Sequence, residues 1–254
     1  MTEMVSRTLS VHKEHEVLLK LETAGLTDVL AQRVIDSKSN DLATKVVRLI
    51  ENGGYEATTS QKQAREIMGK NFFGIEEANK HFRVNPSKKE AATLAEVPFT
   101  EGVLESCKDT HTLVAIFSMS ILEVRKVDNS LFYSSSGGWY ESEKFAKNKG
   151  TVSWQLVRKT PVDDSMSKTW VEQQELLSKD EEAPSAQVMV YTIIGHYKNT
   201  GERLFKNVYI RTSCVGSGGS RVLVGGFDSG GLVVFFWWGG GRHSDLGLSS
   251  AQKF

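Results

Sequence analysis

The sequence predicts an α+β protein, a run of short helices followed by short strands with two amphipathic helices set among them. Three observations predict it. Apolar residues up to about Phe82 recur at helical spacing. All five tryptophans lie at or beyond Trp139, in a part of the chain rich in short apolar runs. No strand–helix–strand alternation calls for a parallel sheet, so the strands are expected to be mixed or antiparallel.

In order along the chain, Val17, Leu18 and Leu21, then Leu26, Val29, Leu30 and Val34, predict two helices broken at Ala24-Gly25. Leu42, Val46, Leu49 and Ile50 predict a third, started by Asn40 and Asp41 and ended by Gly53-Gly54. Ser60 caps a fourth, carrying Ala64, Ile67 and Met68 and closed by Gly69, and a fifth runs Ile75 to Phe82. Residues 1–82 thus form a small all-helical N-terminal region. Residues 83–98, between Pro86 and Pro98, are expected to be a connector, and 99–254 a second domain. In it, Thr112–Phe117 and Val152–Val157 predict strands, and Trp139–Gly150 and Ser167–Leu177 predict the two helices. Gln187–His196 and Arg203–Arg211, around KNTGE, predict a hairpin, and the tail adds two or three more strands.

Charge is balanced, with 31 basic and 31 acidic residues, so no overall field favours nucleic acid or a membrane surface. Lysines and glutamates are mixed along the helical region, which leaves no basic recognition helix. No apolar run reaches the roughly 20 residues of a membrane span. The first residues carry no signal-peptide core, so a cytoplasmic location is expected, with export by another route left open. Cys107 and Cys214 make no metal spacing and are expected to be unpaired buried thiols. His111, His196 and His243 form no ligand set, the acidic run Asp180-Glu181-Glu182 reads as a solvated loop, and GSGGS (Gly216–Ser220) lacks the Lys-Ser/Thr helix of a phosphate cradle. No catalytic residue, metal or cofactor is expected.

The tail, Val215–Phe254, is the unusual stretch. It holds 11 of the chain's 22 glycines, and Leu232–Trp238 runs straight into Gly239-Gly240-Gly241. Rigid aromatic anchors on a strand beside an open loop suit a recognition surface. The same pattern also suits a buried C-terminal hairpin.

The tail frame SRVLVGGFDSGGL…WW…R…LGLSSAQKF resembles the variable proteins of diversity-generating retroelements, especially those of small host-dependent bacteria. So do FGIEEANKHF (Phe73–Phe82), VPFTEGVLESCKDTHTLVAIF (Val97–Phe117), WQLVRKTPV (Trp154–Val162) and AQVMVYTIIGHYKNTGERLFKNVYIR (Ala186–Arg211). The resemblance implies a C-type lectin-like domain of the formylglycine-generating-enzyme subtype over 99–254, used for binding and not for catalysis. It also implies a variable region at about 215–245, rewritten by a reverse transcriptase that miscopies adenines. A randomised AAC codon yields every residue type except Lys, Glu, Gln, Met and Trp. None of Lys, Glu, Gln or Met occurs from Val215 to Asp245. Gly239, Gly240 and Gly241 look like an aspartate run turned to glycine, and Gly216, Gly218 and Gly230 fit the same origin. One of Trp237 and Trp238 departs from the scheme.

On this resemblance Leu223, Gly226, Val233, Phe235, Phe236, Trp237, Gly239, Gly240, Gly241, His243 and Ser244 are the candidate ligand-binding positions. Arg221, Val222, Val224, Phe227, Leu232, Val234, Arg242, Leu246 and Gly247 are expected to be framework. The expected partner is an unidentified protein or other macromolecule met through the C-terminal surface, with homo-oligomerisation open. The alternatives are a cytoplasmic adaptor working through its helical N-terminus and an enzyme of the formylglycine-generating type.

Overall fold

The computed structural model describes residues 9–37, 41–51, 58–133 and 138–253. The chain divides between Glu56 and Ala57 into two compact units. The first holds α1 (Val11–Thr23), α2 (Asp28–Ile35) and α3 (Asp41–Glu51). Ser10 and Thr27 cap the first two by accepting backbone N–H groups of Lys13 and Leu30, and Gly25, at φ 105°, breaks between them. Neither α1 nor α2 contains a buried residue. Asn40, Gly53, Gly54 and the Leu49 side chain, read as caps and stripe of the third helix, lie outside the described residues.

The second unit begins well before the expected boundary at residue 82. It opens with β1 (Thr59–Ser60), α4 (Gln61–Met68), β2 (Phe72–Phe73), α5 (Ile75–Phe82), α6 (Lys88–Thr93) and β3 (Glu96–Val97). Ala64, Met68, Phe72, Phe73, Phe82, Leu94 and Val97 all join its core. Residues 83–98 are therefore part of a packed body: the Trp154 indole donates to the Leu94 carbonyl at 3.1 Å, and β3 pairs with β1. The short pairs β1 and β2 also make residues 1–82 less than all-helical.

Next come α7 (Glu101–Cys107), β4 (His111–Ile116), α8 (Ile121–Val127), α9 (Lys144–Lys147), β5 (Ser153–Arg158), α10 (Trp170–Gln174) and β6 (Glu181–Glu182). Residues 139–150, expected as one helix, are a 3-10 turn at Trp139–Ser142 followed by the single turn of α9. Beyond residue 99 the described chain thus holds five α-helices where two were expected.

The longest is α11 (Ala186–Thr200), where a strand and hairpin were expected. Ser185 caps it by accepting the Val188 N–H, and Gly201, at φ 76°, ends it, so KNTGE is a helix terminus. Met189, Val190, Tyr191, Ile193, Ile194 and His196 are all buried. A helix enclosed on every side is apolar on every side, and short apolar runs of that kind have no period to distinguish helix from strand.

The tail supplies β7 (Tyr209–Val215), β8 (Arg221–Asp228), β9 (Gly231–Trp237), β10 (Leu246–Leu248) and β11 (Ala251–Gln252). Besides the β1–β3 pair, the sheet order is β10-β7-β8-β9 in a four-stranded sheet and β2-β4-β5-β11-β6 in a five-stranded one, and among the described strands the parallel pairs are β10–β7 and β2–β4. The architecture is α+β. α11 packs on β4 of one sheet and on β7 and β8 of the other. Buried Ser249 and Ser250 carry the chain from β10 to β11, donating to the Arg158 carbonyl and to Glu181, and so tie the two sheets together. No helix among the described residues is long and apolar enough to cross a membrane.

Candidate functional site

The four-stranded sheet presents its β8–β9 end to solvent. Strand alternation sends Val222, Val224, Leu232 and Val234 into the core and Leu223, Val233, Phe235 and Trp237 to the other face. Leu223 lies opposite Phe235 and Gly225 opposite Val233. Phe235, Phe236 and Trp237 are 43%, 42% and 41% exposed, and Trp238 is 72% exposed.

A cleft of about 470 Å³ opens on this face. Of the candidate residues, Leu223, Gly226, Val233, Phe235, Trp237 and His243 line it. Tyr133, Tyr209, Asp228 and Asp245 complete its wall and floor. Gly225 and Gly226 set its depth. Their strand bulges there and comes so close to residues 208–209 that a Cβ on Gly225 would strike the Val208 carbonyl oxygen. The Tyr209 ring lies across Gly226, where a Cβ would come within 2.9 Å of it.

The remaining candidates lie elsewhere. Phe236 projects from the other face of β9 and meets Trp139 edge-on at 4.8 Å. Trp139 in turn donates from its indole to the Val234 carbonyl at 2.9 Å, covering part of the sheet edge. Gly239 and Gly240 line a neighbouring shallow hollow with Trp238, Trp170 and Arg221. Arg221 stacks over the Trp170 ring at 4.1 Å. Gly241 turns its carbonyl inward to Arg211, and Ser244 is exposed on the loop, lining neither cavity.

The loop after β9 is fastened from below. Arg211 is fully buried and donates to the Lys168 carbonyl at 2.7 Å, to Gln173 Oε1 at 2.9 Å and to the Gly241 carbonyl. Burial, with Arg221 nearby, pushes its pKa down to about 10. Glu172 caps α10 through Thr169 and also accepts from Arg242 at 2.6 Å. The Trp170 N–H donates to the Gly239 carbonyl at 2.8 Å, and the Ser167 N–H to that of His243 at 3.0 Å. Sequence reasoning missed Tyr133, Tyr209, Arg211 and Trp139 as parts of the site. Tyr209 and Arg211 come to the site through the pairing of β7 with β8, Tyr133 through the bridge of Phe132 to Leu232, and Trp139 through its indole bond to Val234.

Cys107 and Cys214 are both free, and burial raises the pKa of each thiol. Cys214 accepts the Ala186 N–H at 3.4 Å at the head of α11 and is half-buried, not fully enclosed as expected. His196 lies on α11 and His111 begins β4, and the described residues contain no group of three or more His, Cys, Asp or Glu placed to hold a metal ion. Comparisons with family models, with curated proteins and with solved structures return no match to the chain.

Proposed function

We propose that the chain is a ligand-binding protein that displays exchangeable side chains on a fixed β framework. It would work in the manner of the variable proteins of diversity-generating retroelements, with a C-type lectin-like fold over its C-terminal part and no catalytic role. One observation carries this. The tail has two kinds of glycine. Gly219, Gly225, Gly226 and Gly231 have φ between 55° and 152°, where a side chain is strained. Gly216, Gly218, Gly230, Gly239, Gly240, Gly241 and Gly247 have no such φ. Gly247 is held by packing instead, since a Cβ there would come within 2.7 Å of Met166 Sδ, whereas at Gly216, Gly218 and Gly239 an added Cβ meets nothing closer than 3.6 Å, and at Gly240 and Gly241 it would press on the Trp238 and Trp237 rings. Apart from Gly247, these are the positions read above as aspartates converted at their adenine. Gly226 falls in the first group, so among the exchangeable positions it is the least free to change. Framework candidates Val222, Val224, Phe227, Leu232, Val234 and Leu246 are buried, which lets the exposed members of the set vary at little cost in stability; Leu223, expected to face a ligand, is itself buried at 4% exposure on the cleft floor.

Sequencing the DNA around the gene tests the proposal. The expected finding is a near-copy of the tail with its adenines in place, beside a reverse transcriptase, and gene copies that differ only at adenine-derived codons between Val215 and Asp245. Differences spread evenly along the gene would overturn it.

A second function, docking through the N-terminal helices, is favoured by one observation. Val17, Leu18, Val29, Leu30, Val46, Val47 and Ile50 all stand exposed there. The enzyme alternative draws less support, since desolvated thiols such as Cys107 and Cys214 resist forming the thiolate that nucleophilic chemistry needs.

A further inference from the structure

We infer that the cleft between β8, β9 and Tyr133 takes a cationic side chain, a lysine ammonium or arginine guanidinium, presented by a partner protein. The inference deepens the proposal above and rests on it for the claim that this face meets a partner. Four rings, Tyr133, Tyr209, Phe235 and Trp237, share the cleft with Asp228 and Asp245, and no lysine or arginine among the described residues lines it. Ring faces carry negative charge density and attract organic cations, more strongly where water is partly excluded.

The charge around Tyr209 points the same way. Burial raises its phenol pKa, and Asp245, Asp228 and Tyr133 raise it further. The nearby guanidinium groups are engaged elsewhere. Arg211 is turned beneath the loop onto carbonyls and Gln173. Arg203 stacks on Tyr197 and Phe227 and donates to the Asp228 backbone carbonyl, while the Asp228 carboxylate accepts the Gly230 N–H at 2.7 Å through one oxygen. His243, also on the wall, hydrogen-bonds Asp245. An anionic ligand would meet repulsion from the two carboxylates, and a neutral one would bring no positive charge beside them.

The occupant is assigned to a protein because the apolar surface is wider than a small ion needs. Phe236, from the other face of β9, stacks at 5.1 Å on Phe235 at the exposed strand end and meets Trp139, and exposed Trp238 lines the neighbouring hollow, so aromatic surface extends beyond the cleft. Tyr133 and Tyr209 also lie outside the variable region, whereas Asp228 and Asp245 lie within its bounds without being among the candidate positions. The two tyrosines are therefore a constant part of the wall, and in this copy the two carboxylates add the preference for positive charge.

The test titrates the full chain with blocked Gly-Ser-X-Ser-Gly peptides in which X is lysine, arginine, norleucine or glutamate. The readout is the indole N–H resonance of Trp237, assigned with Trp237→Phe. Lysine and arginine peptides should shift it saturably, with norleucine and glutamate peptides about tenfold weaker or more. Asp228→Asn and Asp245→Asn should each weaken the lysine peptide about fivefold or more without lowering the melting temperature. Norleucine binding as tightly as lysine, or a Trp237 resonance unmoved by lysine, overturns the inference. Free n-butylammonium matching the lysine peptide overturns the assignment to a protein partner. The outcome does not depend on gene copies, so a failure of this inference is distinguishable from a failure of the proposed function.

Discussion

At Gly225 and Gly231 the backbone leaves no room for a methyl group. A Cβ on Gly231 would lie 2.6 Å from the Phe132 carbonyl carbon, and one on Gly225 would press on the Val208 carbonyl, at φ 104° and 152°. Gly225→Ala and Gly231→Ala should each destabilise the protein by about 1–3 kcal/mol or more in urea unfolding. Gly239→Asp, whose Cβ would make ordinary contacts at 3.6 Å and beyond, should stay within about 0.5 kcal/mol of the parent. Equal losses at all three would remove the distinction on which the proposed function rests. His111 supplies a pH dependence. Burial, helped by Arg158, lowers its pKa to about 4, so the folded state prefers neutral imidazole. That preference costs nothing above the unfolded pKa near 6.5. It draws down stability as pH falls from there to about 4, by up to about 3 kcal/mol. His111→Leu should flatten the melting temperature between pH 7 and 4, and a variant that still loses stability over that range would show that another group is responsible.

Arg211 links three elements, β7, α10 and the loop after β9, through carbonyl and amide oxygens alone. Arg211→Met removes those donors and leaves buried acceptors unsatisfied. It should cost more than about 2 kcal/mol and speed hydrogen exchange in residues 239–243. Unchanged exchange there would mean that the loop is held by Glu172–Arg242 and the backbone bonds of α10 instead. Legibility also varied by element. Ile75–Phe82 and Gln61–Met68 were readable because one face is polar and Gly69 or a capping residue marks an end. β4 and β5 were readable as short apolar or alternating runs. α11 was not: Val, Tyr, Thr and Ile favour a strand locally, and enclosure between two sheets overrides that preference. The aromatic half of the cleft could be read from Phe235 and Trp237. Its tyrosines could not, because Tyr133 meets β9 through the Phe132–Leu232 bridge and the Tyr133 N–H to Leu232 carbonyl bond at 3.0 Å, and Tyr209 comes through the pairing of β7 with β8.

Across the whole molecule, stability and recognition draw on different residues. Phe227 is fully buried, meets Tyr197 edge-on at 5.2 Å and carries Arg203 over its ring at 4.4 Å. Phe227→Ala should therefore cost about 3–5 kcal/mol. Phe235, Trp237, Gly239, Gly240, His243 and Ser244 touch the same sheet or its loop from outside. Replacing all six together with serine or asparagine should cost less than that one core truncation, since exposed changes are small and the loop is fastened through backbone carbonyls that no side-chain exchange removes. The same sixfold variant should lose the aromatic contribution to lysine-peptide binding while keeping the bias against glutamate, because Asp228 and Asp245 remain. Urea unfolding, with the peptide titration followed by calorimetry because the sixfold variant lacks Trp237, checks the two halves on both variants. If the sixfold variant unfolds as readily as Phe227→Ala, the exposed rings are structural, and the framework cannot tolerate the exchange that its glycines otherwise permit.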